Sequence, residues 1–240
     1  MRLHATFGLI LICFYALAIE TNGYPHQGTY TKLEDVLESL RDLIKTGNAT
    51  LGLPPLDPLC IEKVPVNIDV KDTIKLDAIL TNIDVRGLSS YKVNSADFQL
   101  IGMKLMANLT WEHINASTDY NATGLIGVDI PLFGDGVINL DVQNFTFSVE
   151  LSVTVHDDVY LKVKSLETDF DLGGVVLDIT GLWHDPEVSW LVSAMLSHMI
   201  PEAVCVNKEM IKGYIHPAAI EMIDNFLSDK TISDILKWLT

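Results

Sequence analysis

Cysteine is nearly absent from these 240 residues, with only Cys13, Cys60 and Cys205 in the whole chain. No paired-cysteine metal motif can be built from so few. Basic side chains are also scarce, 16 Lys and Arg against 32 Asp and Glu, for a net charge of −16. Nucleic acid and anionic membrane surfaces would repel such a chain, so neither is expected as a partner. The G-x-S-x-G, H-E-x-x-H and P-loop patterns are missing, and the seven histidines are scattered. Ser89–Lys92 fits S-x-x-K and Lys45–Gly47 fits K-T-G, but in inverted order and with no S-D-N between them. The expectation is a protein that is not an enzyme and carries no cofactor or metal.

Apolar runs long enough for a membrane span are missing except near the N-terminus, so no stable membrane insertion is expected. There Phe7 to Ala18 follows Arg2 and His4 and leads to small residues, the pattern of a secretory signal peptide over residues 1–23 with cleavage between 18 and 23. Residues 24–240 then form a single domain of a secreted, extracellular protein. Export leaves Cys60 and Cys205 in an oxidising compartment, where they either pack as small hydrophobes or form one bridge. The second reading is favoured, and closing a loop of about 145 residues would contribute about 4 to 5 kcal/mol on the chain-entropy view. Five N-x-[ST] triplets, at Asn48, Asn108, Asn115, Asn121 and Asn144, are the expected glycosylation sites.

What is present is apolar periodicity, in a chain 48% hydrophobic. Thr31-Lys-Leu-Glu34 reads as a capping box, followed by Leu33, Val36, Leu37, Leu40, Leu43 and Ile44 at helical spacing up to a stop at Gly47. From Val64 to about Ile179 the period is two. Ile101, Met103, Leu105, Leu109 and Trp111 share one face, and Phe145, Phe147 and Val149 another of the same sense, while Ile138, Leu140 and Val142 run in the opposite phase. That slip near Gln143–Asn144 predicts a bulge. Gly134-Asp135-Gly136 and His156-Asp157-Asp158 read as polar turns.

Asp185-Pro186-Glu187 supplies a helix start, after which Leu191, Met195 and Met199 belong to an apolar stripe that continues to Phe226, with Pro201 and Pro217 as points of kinking or division. About forty helical residues would reach about 60 Å, too long for one face of a globule of this size. The predicted class is therefore α+β: a highly curved antiparallel sheet wrapped around a long C-terminal helix, elongated, with a short N-terminal helix.

Three stretches, "LGLPPLDPLCI", "LTNIDVRGLSSYKV" and "YNATGLIGVDIPLFGDGVINLDVQN", resemble in wording and order the insect takeout and haemolymph juvenile-hormone-binding family. The segments "VELSVTVHDDVYLKVKSLE" and "ITGLWHDPEVSWLVSAMLSHMI" look more like the group-seven mite allergens of the same wider superfamily. The resemblance implies an apolar tunnel between sheet and helix, and a carrier of a fatty acid, terpenoid or other lipid. The tunnel would be lined by Ile101, Met103, Leu105, Leu109, Trp111, Phe145, Phe147, Val149, Leu191, Met195 and Met199. The alternative is a secreted interaction or immune-type protein using the same fold without a bound ligand.

Overall fold

The computed structural model describes residues 33–47, 54–99, 101–127, 129–156, 160–228 and 231. The expected signal peptide, the capping box at Thr31, the sequon Asn48 and the Asp157–Asp158 turn lie outside the described residues. The first helix, α1 (Leu33–Thr46), ends as its sequence indicates, with the Gly47 N–H on the Leu43 carbonyl at 2.8 Å. Six antiparallel strands follow: β1 (Leu59–Val70), β2 (Ile74–Arg86), β3 (Lys92–Gln99), β4 (Lys104–Ile126), β5 (Ile130–His156) and β6 (Tyr160–Ile179). They form one open, curved sheet in the order β1-β2-β4-β5-β6, with β3 beside the first half of β4 in the lane that β2 occupies along its second half. Two helices close the chain, α2 (Pro186–Val206) and α3 (Lys208–Leu227).

One crease divides the sheet across its strands. On β4 the inward residues change from Leu109 and Trp111 to Tyr120 and Ala122, and on β6 from Phe170 to Val175. On β5 the change falls at Asn144, as the sequence predicts, but no residue is inserted. Trp111 still faces Phe145 and His113 faces Gln143 in unbroken register, and Asn144 makes the turn of phase by adopting φ 49°. Asn82 does the same on β2 at φ 52°, where the pairing with β4 shifts. Asparagine is among the few residues that tolerate this left-handed conformation at low cost.

The crease separates two apolar clusters. The larger packs α1 and α3 against β3 and the near halves of β4, β5 and β6, with Leu40, Ile44, Trp111, Ile223 and Leu227 almost wholly buried. The smaller holds Ala78, Tyr120, Ala122 and Leu182, with Val192 of α2 packed against them.

Gly134-Asp135-Gly136 is not the turn that the sequence suggests. The β4–β5 hairpin turns at Gly127–Asp129, and the three residues lie inside β5, where the chain leaving β6 crosses them. A Cβ on Gly136 would sit 2.4 Å from the Thr180 carbonyl oxygen, and one on Gly181 only 1.9 Å from that of Asp135. Two glycines let the backbones touch. Thr180 N–H then donates to the Val137 carbonyl at 2.9 Å, and the Tyr120 hydroxyl to the Thr180 carbonyl at 2.7 Å.

The C-terminal helices run back along β6 and are divided at Asn207, six residues past Pro201, with both prolines inside helices. Asp185 caps α2 as read, its carboxylate accepting the Glu187 and Val188 N–H groups. By length and composition α2 is apolar enough to cross a membrane and little of it is buried, a run that the sequence reading passed over. Its sheet-facing side is not the expected apolar stripe but Ser189, Ser193 and Ser197. Their hydroxyls accept the backbone N–H of Leu182, Ile179 and Leu177 at 3.0, 2.8 and 2.8 Å. Each hydroxyl also donates to the helix carbonyl four residues back. Asp224 of α3 takes the Val163 N–H at 2.7 Å. Helix side chains thus satisfy part of the outer edge of β6, which would otherwise be open for pairing.

Candidate functional site

The residues expected to line a tunnel divide between the two halves of the molecule. Leu109 and Trp111 are solid core, and Trp111 is 2% exposed, its ring against Tyr91 and Phe145 at centroid distances of 5.5 and 5.7 Å. Leu105, Phe145, Phe147 and Val149 pack around the same cluster under α1 and α3. Met103 joins them from the β3–β4 turn at φ 45°, whereas Ile101, in that turn and 96% exposed, points into solvent rather than onto a strand face.

Leu191, Met195 and Met199 behave differently, for they are 58, 52 and 52% exposed along one flank of α2. Their four-residue spacing puts them in a row beside Val192 and Leu196, the half-buried residues bordering the sheet. On the inner face between the two clusters, Ala116, Leu140 and Val142 are also only half-buried. The candidate site is this apolar strip on α2 together with the open middle of the sheet. It has the lining expected of a tunnel wall but lies open to solvent. Two flexible thioethers allow it to repack around ligands of different shape. The serine row lets it stay open, because hydroxyl bonds to β6 anchor α2 while its apolar flank remains free.

A second depression, of about 460 Å³, lies among Asn108, Ser148, Glu150, Glu167, Asp169 and Lys212. Glu150 is paired there with Lys104, and Asp169 with Lys208 and Lys212 at 3.7 and 3.5 Å. Among the described residues no cluster of three or more His, Cys, Asp or Glu could hold a metal ion.

The lead-in to the sheet has a structural centre that sequence reasoning missed. The Asp57 carboxylate accepts the N–H groups of Gly87 and Ser89, both at 2.9 Å, and the Ser89 hydroxyl. Burial alone would raise this carboxyl, but the hydrogen bonds from Ser89 and Gly87, with Lys45 nearby, hold it below its ordinary value. Just beyond, Trp111 Nε1 donates to the Leu88 carbonyl at 3.0 Å and Arg41 to the Tyr91 carbonyl at 2.7 Å. The D-P and G-L-S segments of the sequence are therefore two sides of one joint that seats α1 and positions the core.

Cys60 and Cys205 are not bridged. Both are free, exposed thiols, one on β1 at one border of the sheet and the other near the end of α2, which runs along the opposite border strand. Cys60 lies inside β1, which begins at Leu59, and contacts the Asp84 carboxylate across the ladder at 3.9 Å. Asn115, Asn121 and Asn144 are exposed. Asn108 is held in a polar ladder, donating to Ser148 Oγ at 2.7 Å.

Residues 10–237 match the profile of the haemolymph juvenile hormone binding protein family. A search of curated proteins finds no match. Among solved structures, that of Takeout 1 from Epiphyas postvittana aligns over 84% of this chain and 94% of its own, at 18% identity and a TM-score of 0.52. Lipopolysaccharide binding protein aligns over 71% of this chain and 37% of its own, at 12% identity and a TM-score of 0.32, too distant to carry an argument.

Proposed function

The chain belongs to the haemolymph juvenile hormone binding protein family, and from that premise we propose that it is a secreted carrier of a small apolar molecule, a fatty acid, terpenoid or other lipid. The observation that carries this reading is the exposed row Leu191, Met195 and Met199 beside a half-buried sheet. A water-soluble chain has no folding reason to leave it uncovered. Such a surface supplies one strong driving force, removal of apolar area from water. Micromolar binding corresponds to about 8 kcal/mol, which about 330 Å² of buried apolar area would supply before the costs of association. Contact of this kind favours a ligand by its apolar area and shape, which suits a carrier. Glycans on Asn115, Asn121 or Asn144, all exposed, would accompany export.

Displacement of a fluorescent fatty acid or terpenoid probe tests the reading. Wild type is expected to bind at micromolar concentrations, and Met195→Asp to weaken binding at least tenfold with no loss of helix signal, since the residue is half exposed. A folded wild-type chain that takes up no apolar probe overturns the carrier reading.

A further inference from the structure

The end of the molecule where α2 begins carries apolar side chains at positions that normally hold polar ones. The β1–β2 turn at Lys71–Thr73 and the β4–β5 turn at Gly127–Asp129 lie side by side, with Ile74 paired to Ile126 and the Gly127 N–H on the Thr73 carbonyl at 2.8 Å. Around these turns Val70, Leu125, Ile126 and Ile130 are all exposed, Ile130 to 59%. The crossover into α2 is fastened to the same end, Trp183 donating through Nε1 to the Pro131 carbonyl at 2.6 Å. Two turns further on, Trp190 is 71% exposed. Two hairpins therefore present one apolar end, and the crossover fastened to it leads within two helical turns to exposed Trp190 and to the first residue of the strip, Leu191.

We propose that this end docks on an electrically neutral lipid surface, so that an apolar ligand passes between the bilayer and the α2 strip without crossing water. The inference rests on the carrier reading and adds its donor or acceptor. Charge selects the occupant. Asp69, Asp72, Asp129, Asp185 and Glu187 outnumber Lys71 and Lys75 at this end, in a chain of net charge −16. A second copy would bring two acidic ends together, and an anionic bilayer would repel one. A zwitterionic surface carries no such penalty, and exposed indole is the side chain that favours its interface. The apolar tips enter only the headgroup boundary, which requires no spanning segment.

Flotation of the full chain with phosphatidylcholine vesicles is the test. Wild type is expected to float with them, less so when phosphatidylserine is included, and Ile126→Asp/Ile130→Asp to reduce the floated fraction at least fivefold. That double variant leaves the α2 strip unchanged, so displacement of the soluble probe should persist in it. Trp190 provides an independent readout, a blue-shifted emission on adding vesicles that Trp190→Phe removes. Wild type that binds the probe but neither floats nor shifts its emission overturns the docking proposal and leaves the carrier reading standing. Flotation unaffected by the double variant also overturns it. So does a dimer in vesicle-free solution that the double variant dissolves, which would assign this end to a second copy. Failure to bind the probe at all would instead strike the carrier reading.

Discussion

Asp57 reaches a turn 30 residues further along the chain and accepts three hydrogen bonds there. Hydrogen bonds to a charged acceptor are the strong kind, so Asp57→Asn should lower stability by about 2 kcal/mol in urea unfolding. Because the folded carboxyl titrates below its ordinary value, its contribution is complete above the unfolded value of about 3.9 and is lost as pH falls through the lower folded one. The gap between wild type and variant should thus be constant at neutral pH and narrow below about pH 4. A gap that stays constant down to pH 2 would show that the charge plays no part. At this scale the sequence was only partly legible. The proline-rich lead-in and the G-L-S segment stood out in the sequence only as family-like wording, and nothing in either names the other as partner, since the pairing depends on how β1 and β2 bring them together. The cysteines misled for the same reason: export argues for a bridge, and only topology separates β1 from α2.

Among the elements, α2 departs most from its pattern. Apolar residues at helical spacing usually mark the buried side, yet here the serines at 189, 193 and 197 hold the sheet. Their four-residue spacing was visible in the sequence. What concealed it is that small hydroxyl residues inside a helix commonly bond their own carbonyls, and the demand from the edge strand appears only once β6 is in place. Ser193 is buried, so Ser193→Ala leaves the Ile179 N–H without its acceptor, and thermal unfolding should show a loss of about 1 to 3 kcal/mol. Ser197→Ala, at a less buried site, should lose less. Equal and negligible effects would mean that packing rather than the hydroxyl row secures the helix. The strands show the complementary case. Alternation placed the inner faces of β4 from Leu105 to Trp111 and of β5 on both sides of the crease, but it ran on through Ile101, which lies in a turn, and the hairpin turn was assigned to Gly134–Gly136 because glycine marks turns and close backbone crossings alike.

For the molecule as a whole, a curved antiparallel sheet with a long C-terminal helix was legible from the change of period and the length of the helical stripe. The separation of the core into two unequal clusters was not, since it depends on which helices cover which half. The larger cluster has α1 and α3 packed on it and the smaller only the start of α2. Local opening should follow that difference. Hydrogen exchange is expected to be slowest in the amides of the first half of β4 and the second half of β5, and faster by at least tenfold toward the β1–β2 turn. Uniform protection along β4 would contradict a division at the crease.

The unbridged cysteines make that division measurable. Cys60 and Cys205 sit on opposite borders of an open sheet, both accessible to maleimide chemistry. In a chain begun at Tyr24, which removes Cys13, a donor and an acceptor dye on these two thiols would form a molecular ruler across the mouth of the strip. Energy transfer between them would report in real time whether the borders draw together when a ligand arrives.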